Sequence, residues 1–196
     1  MSIVHKNFKI PILTDIIDLD SEYQNNCINA AIEIGDEMKR STNLYATMSS
    51  YELHRNSKGI IYNKLIIKLL TYIENNYDFS FLHDSNKNLI NKKCLELKNF
   101  WTAIYKKEDF CIAHSHTPFH VSFVYYLKCD EFSSPIEFTH LNYSIKPKNN
   151  LLLVFPSLAM HSVPVQKEGD DRILVAGNID VLVPNNTEDN LKKLYV

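Results

Sequence analysis

The apolar residues of this chain change their period once, near residue 94, and that change limits what the chain can fold into. Upstream they recur at three- and four-residue spacing. Tyr23, Cys27, Ala31, Ile34 and Met38 make one helical stripe between Ser21 and Arg40, with Asp18 and Asp20 in front as caps. Tyr62, Leu65, Ile66, Leu69, Leu70 and Ile73 make a second stripe from Gly59 to Asn76. Between them Thr42–Arg55, polar and aromatic, reads as irregular or as a strand, and His83–Lys93 reads as a polar connection. Downstream, short apolar or alternating runs follow one another: Leu95–Tyr105, Phe110–His116, Val121–Cys129, Pro135–His140, Asn150–Phe155, His161–Val165 and Arg172–Val183. Pro118, Pro135, Pro147, Pro156 and Pro164 fall at or near their ends, where proline costs a sheet least. Short strands separated by turn signals predict a β-sandwich or jelly roll. Helices first and strands after give an α+β chain with the helices outside one sheet. Without repeats or a low-complexity tail, residues 1–196 read as a single domain, with helical support over about 1–93 and a jelly-roll core over about 94–183.

Composition removes several function classes. Net charge is -2, from 21 basic against 23 acidic residues, which lacks the basic excess of a general nucleic-acid binder. No apolar run approaches the roughly 18 residues of a membrane-spanning helix. The stretch Met1-Ser-Ile-Val-His-Lys6 offers no apolar signal-peptide core. Gly35, Gly59, Gly169 and Gly177 form neither a dinucleotide fingerprint nor a P-loop. Cys27, Cys94, Cys111 and Cys129 lie far apart without a CxxC pair, so they read as ordinary thiols in a reducing, cytoplasmic setting.

The histidines carry the chemistry. Five of eight fall between positions 114 and 161: His114, His116, His120, His140 and His161. If Phe110–His116 is a strand, His114 and His116 share a face about 7 Å apart and can converge on one ion. A third ligand must then come from a distant strand, and His161, just after Phe155-Pro156-Ser157, is the candidate. An HxH pair with a distal histidine is the ligand layout of double-stranded β-helix metal sites, although HxH also arises by chance in a histidine-rich chain. Arg172 opens the last strong strand, on which Arg172, Leu174, Ala176 and Asn178 share one face. An arginine pointing into an apolar barrel is costly unless an anion meets it. The other reading is a surface arginine at a strand start.

Several phrases in order then match one family. They are Trp101-Thr-Ala-Ile-Tyr-Lys-Lys-Glu-Asp-Phe110, His114-Ser-His-Thr-Pro118, Ser122-Phe-Val-Tyr-Tyr-Leu127, Pro135-Ile-Glu-Phe138, Leu153-Val-Phe-Pro-Ser157 with His161-Ser-Val-Pro164, and Arg172-Ile-Leu-Val-Ala-Gly-Asn178. Residues from Trp101 to Ile179 thereby resemble the Fe(II)/2-oxoglutarate-dependent oxygenase superfamily, in particular a bacterial and phage branch related to prolyl hydroxylases. The resemblance implies a double-stranded β-helix (jelly roll) with N-terminal supporting helices. It implies Fe(II), 2-oxoglutarate as cosubstrate and O2, with succinate and CO2 released as a substrate is hydroxylated. His114 and His161 match the first and distal iron ligands, and Arg172 the residue that grips the far carboxylate of 2-oxoglutarate through its planar fork. Tyr126 and Tyr105 match cosubstrate-pocket tyrosines, and Asn178 is taken with them. Tyr125 reads as core filling.

The chain departs from the family pattern twice. The usual facial triad is two histidines and one carboxylate, whereas the second member here is His116. Three neutral imidazoles would leave Fe(II) its full dipositive charge, which favours an anionic cosubstrate. Leu174 stands where many relatives carry serine, a loss of one hydrogen bond worth about 1 kcal/mol. His120 lies near where a cupin would place its glutamate, in the turn Thr117–His120, and His140 reads as partly exposed. Asp109, Asp130 and Glu137 are spare carboxylates without HxD spacing. Two other classes stay open: a cupin-type three-histidine metalloenzyme that does not use 2-oxoglutarate, and a metal-free jelly-roll binding module. Beyond 2-oxoglutarate, the expected partner is an unidentified peptide or small molecule, selected by residues of Thr42–Arg55 and Thr117–His120, with no membrane and no nucleic acid.

Overall fold

The structure, a computed structural model, describes residues 10–82 and 94–182. The connection His83–Lys93, and Val183 at the end of the last run, lie outside the described residues. Helix α1 spans Ser21–Ile34, and the Asp20 carboxylate accepts from the Tyr23 amide at its start. It is shorter than its apolar stripe because Gly35 takes a φ of 67°, which turns the chain before Met38. The second stripe divides. Ser57–Tyr62 is a 3-10 turn capped by Asn56, and α2 proper runs Asn63–Asn76.

Eleven strands are described. Strands β1 (Leu13–Ile16), β9 (Leu151–Pro156), β6 (Val121–Lys128), β11 (Arg172–Leu182), β4 (Cys94–Tyr105) and β3 (Thr47–Met48) pair in that order as one antiparallel sheet. Strands β2 (Leu44–Tyr45), β5 (Phe110–His114), β10 (His161–Val163), β7 (Ile136–Phe138) and β8 (Tyr143–Ile145) form the second. Sequence reasoning misses β1 and β8. Both are short edge strands with mostly exposed side chains, so alternation of hydrophobicity cannot mark them. It resolves the stretch after Thr42 only as irregular or strand; that stretch holds two dipeptide strands and a 3-10 turn.

Strict alternation in the large sheet assigns each side chain to a layer. Phe100, Ile104, Phe123, Tyr125, Leu152, Val154, Ile173 and Val175 face outward and are covered by Cys27, Ala31, Tyr62, Leu65, Leu69 and Ile73 of the helical region. Tyr125 belongs to this layer, donating its hydroxyl to the Ile17 carbonyl, as its core reading expects. The opposite parity, Trp101, Tyr105, Tyr126, Leu153, Phe155 and Leu174, faces the small sheet, which supplies Cys111, Ile136, Phe138 and Val163. The two sheets therefore enclose an inner layer distinct from the helix-covered one, the α+β jelly roll expected from the pattern of periods. Among the described residues no helix is long and apolar enough to cross a membrane.

Candidate metal centre and anion pocket

Strand β5 ends at His114, so His116 is not the next same-face residue of a strand, and alternation is not what joins the two rings. The loop after β5 curls back instead, and the His116 amide donates to the Ser157 carbonyl at 2.7 Å. His161 opens β10 directly across from His114 in the antiparallel register. Three imidazoles thus arrive from a strand end, a loop and a facing strand start. Their centroids lie 4.9 Å (His114–His116), 4.4 Å (His114–His161) and 5.0 Å (His116–His161) apart. One nitrogen from each falls within 4.8 Å of the others, and among the described residues no carboxylate joins this group. The Nε2 atoms of His116 and His161 are 3.3 Å apart. Two nitrogens each about 2.1 Å from a common ion, at angles between octahedral and tetrahedral, stand about 3.0–3.4 Å from one another.

Hydrogen bonds also select the tautomers. His114 Nδ1 donates to the Ile112 carbonyl and His161 Nδ1 to the Ala159 carbonyl, each at 2.9 Å, which leaves Nε2 of both rings as a bare lone pair. Burial keeps the rings uncharged. Desolvation, helped by the neighbouring imidazoles, pushes His116 down to about 2 and His161 to about 4, and burial also lowers His114. Neutral imidazoles need not shed protons to ligate a cation. Trp101, which sequence reasoning uses only as a family match, stacks on His116 with centroids 5.8 Å apart and holds the loop histidine in orientation.

Arg172 lines the same cavity as the three histidines, together with Tyr105 and Tyr126. It is fully buried and forms no ion pair among the described residues. One arm donates to the Ser134 carbonyl at 2.6 Å, and the Tyr105 ring lies 3.9 Å beneath the guanidinium carbon. Nε and Nη2 have no hydrogen-bond partner among the described residues. Two orphaned cationic N–H groups in an apolar interior are an anion site by default, because desolvating them uncompensated costs several kcal/mol. A carboxylate accepting both would satisfy them. Leu174 is in the cavity wall.

The remaining sequence candidates lie elsewhere. Asn178 is not among the residues lining the cavity, although Ser122, which bonds it, is. Its amide accepts from the Ser122 hydroxyl at 2.9 Å and donates to Asn99 at 3.2 Å. His120 is half-exposed, its Nδ1 3.1 Å from Asp180, and His140 is exposed. Buried Asp109 binds Arg40 and the Lys106 amide in the β4–β5 turn, Asp130 caps its own loop, and Glu137 points outward on β7. A second cleft opens on the other side of His114 and His116. Thr42, Asn43, Leu44, Met48 and Tyr51 line it, with Trp101 at its base. It draws on the stretch Thr42–Arg55, whereas Thr117–His120 is absent from its lining.

No family model matches the chain, and neither does any curated protein. Solved structures do. The viral collagen prolyl hydroxylase vCPH of Paramecium Bursaria Chlorella virus-1, in complex with 2OG, superposes with a TM-score of 0.60 at 16% identity over 85% of this chain and 94% of that one. A prolyl hydroxylase of Trichoplax adhaerens, bound to a peptide fragment of the hypoxia inducible factor oxygen degradation domain, gives 0.61 at 12% identity over 94% and 87%. HygX of Streptomyces hygroscopicus, with nickel and 2-oxoglutarate, gives 0.61 at 10% identity over 86% and 82%. At such identities the likeness is one of fold, which this chain shares with these two prolyl hydroxylases and HygX.

Proposed function

We propose that this chain, acting as a single domain, is an Fe(II)- and 2-oxoglutarate-dependent dioxygenase that hydroxylates a peptide side chain or small molecule, releasing succinate and CO2. One observation carries the reading: a buried, unpaired guanidinium with two free N–H groups shares a cavity with three neutral imidazoles. Both halves of the fit come from this chain's own atoms. His114, His116 and His161 would hold the iron, which when bound supplies the redox chemistry coupling oxidative decarboxylation of the 2-oxo acid to C–H hydroxylation. Arg172 binds the distal carboxylate of 2-oxoglutarate through Nε and Nη2, and Tyr126 closes over the same end. Tyr105 keeps the guanidinium flat against its ring. Phe155, Ile136, Leu174 and Ala176 exclude water from the chain of the cosubstrate. Substrate enters by the cleft of Thr42, Met48 and Tyr51. Free cysteines at 27, 94, 111 and 129 suit a reducing, cytoplasmic setting.

A cupin-type enzyme would account for three imidazoles but gives no use to a buried arginine aimed into their cavity. The discriminating experiment is an anaerobic visible spectrum with Fe(II) before and after 2-oxoglutarate, for the wild type, Arg172→Ala and His161→Ala. The expected result is a new charge-transfer band that His161→Ala abolishes and Arg172→Ala weakens, followed aerobically by succinate release. Iron binding with no response to 2-oxoglutarate would move the chain to the cupin class. No iron binding at all would remove the enzyme reading.

A further inference from the structure

Arg172 is aimed, and the loop that aims it belongs to no sequence motif of the site. Its one satisfied arm depends on the carbonyl of Ser134, and that residue is itself held through its amide and its hydroxyl. The Ser134 amide donates to Gln166 Oε1 at 2.9 Å, and its hydroxyl donates to the Val165 carbonyl at 3.1 Å. Gln166 is 1% exposed and has no remaining freedom. Its Nε2 donates to the Glu168 carbonyl at 2.7 Å, its amide to the Asp109 carbonyl at 2.8 Å, and its carbonyl accepts from the Glu108 amide at 2.7 Å. Every polar atom of one buried glutamine is thus spent joining three turns: β4–β5, β6–β7 and β10–β11. A buried amide with four satisfied groups is a rigid joint, since breaking any one strands a desolvated partner.

We infer that Gln166 is a positioning residue for the anion site: through Ser134 it orients the Arg172 guanidinium so that Nε and Nη2 face the cavity. The inference rests on the proposed role of Arg172 as the carboxylate clamp. Without the Gln166 contact the backbone at Ser134 is free to turn about its φ and ψ, its carbonyl no longer fixes Nη1, and the fork loses its aim while the imidazole cluster is untouched. The test uses the Mn(II)-loaded protein and two probes, 2-oxoglutarate and 2-oxobutyrate, which lacks the distal carboxylate. Gln166→Met keeps the volume and removes both side-chain hydrogen bonds. It should weaken 2-oxoglutarate binding about tenfold, leaving 2-oxobutyrate and Mn(II) affinities unchanged. Equal weakening of both acids, or unchanged 2-oxoglutarate affinity in a folded variant, overturns the positioning role. Should Gln166→Met fail to fold, Gln166→Ser, which leaves room for water, must show the same selective loss. If the wild type itself does not prefer 2-oxoglutarate over 2-oxobutyrate, the clamp reading of Arg172 falls instead.

Discussion

Replacing Arg172 by methionine sets two energies against each other, and the structure fixes the sign of each. The variant loses one charge-assisted hydrogen bond, to Ser134, worth about 1.5–3 kcal/mol. It also loses the stacking on Tyr105, worth about 0.5–2 kcal/mol. Against that, it removes a fully buried cation with two unsatisfied N–H groups and no counter-charge, whose desolvation costs several kcal/mol. The terms nearly cancel, so in the absence of ligand Arg172→Met should change unfolding free energy by no more than about 1.5 kcal/mol in either direction, or about 5 °C in Tm. Binding behaves otherwise. Loss of two charge-assisted hydrogen bonds to a carboxylate, about 1.5–3 kcal/mol each, should raise the Kd for 2-oxoglutarate by a factor of about a hundred to ten thousand. Urea denaturation of the metal-free protein gives the first number and calorimetric titration of the Mn(II)-loaded protein the second. A stability loss beyond about 3 kcal/mol with little change in Kd would refute the argument. It would mean that the fold, and not a ligand, supplies the partner of this arginine.

Three other perturbations follow from the same geometry. His161→Ala should reduce Co(II) or Mn(II) affinity by more than the roughly 10- to 100-fold typical of losing a supporting partner, because a ligand nitrogen itself is removed; equal affinities by competition with a chelating dye would exclude the cluster as the metal site. Gly177→Ala should destabilise by about 1–3 kcal/mol, since a Cβ there would stand 2.6 Å from the Phe123 ring and 2.8 Å from the Asn99 carbonyl; an unchanged denaturation midpoint would contradict that packing. Glu37 accepts from Lys58 and the Ser50 amide, which hold its carboxyl below the ordinary 4.5. That stabilisation is present above the ordinary value and lost as pH falls through the lowered one, so Glu37→Gln should cost up to about 1 kcal/mol at neutral pH and match the wild type in acid, as read from Tm across a pH series.

How much of this was legible from residues alone can be traced position by position. The change of period near residue 94 determined the class of fold, because burial of alternate side chains is a local property of a strand and burial every third or fourth one of a helix. Parity within β6 and β11 separated Tyr125 from Tyr126 and put Arg172 with Leu174. His114, His116, His161 and Arg172 were all named from their spacing and family phrases, and the fold brings those four into one cavity. Other features had no local signal. Strands β1 and β8 exist only because β9 and β7 offer them partners. His116 reaches its neighbours through a loop held by Ser157, not through strand alternation, and Asn178, which shares the parity of Arg172, has its amide taken up by Ser122 and Asn99. Ser134 is distant in sequence from Arg172, and neither it nor Gln166 is chemically distinctive until three turns meet around them. Sequence fixes which side chains share a face, since that depends on neighbours two to four residues away. Which faces meet, and which buried donors are left facing a cavity, depends on pairings across the chain that only the tertiary structure closes.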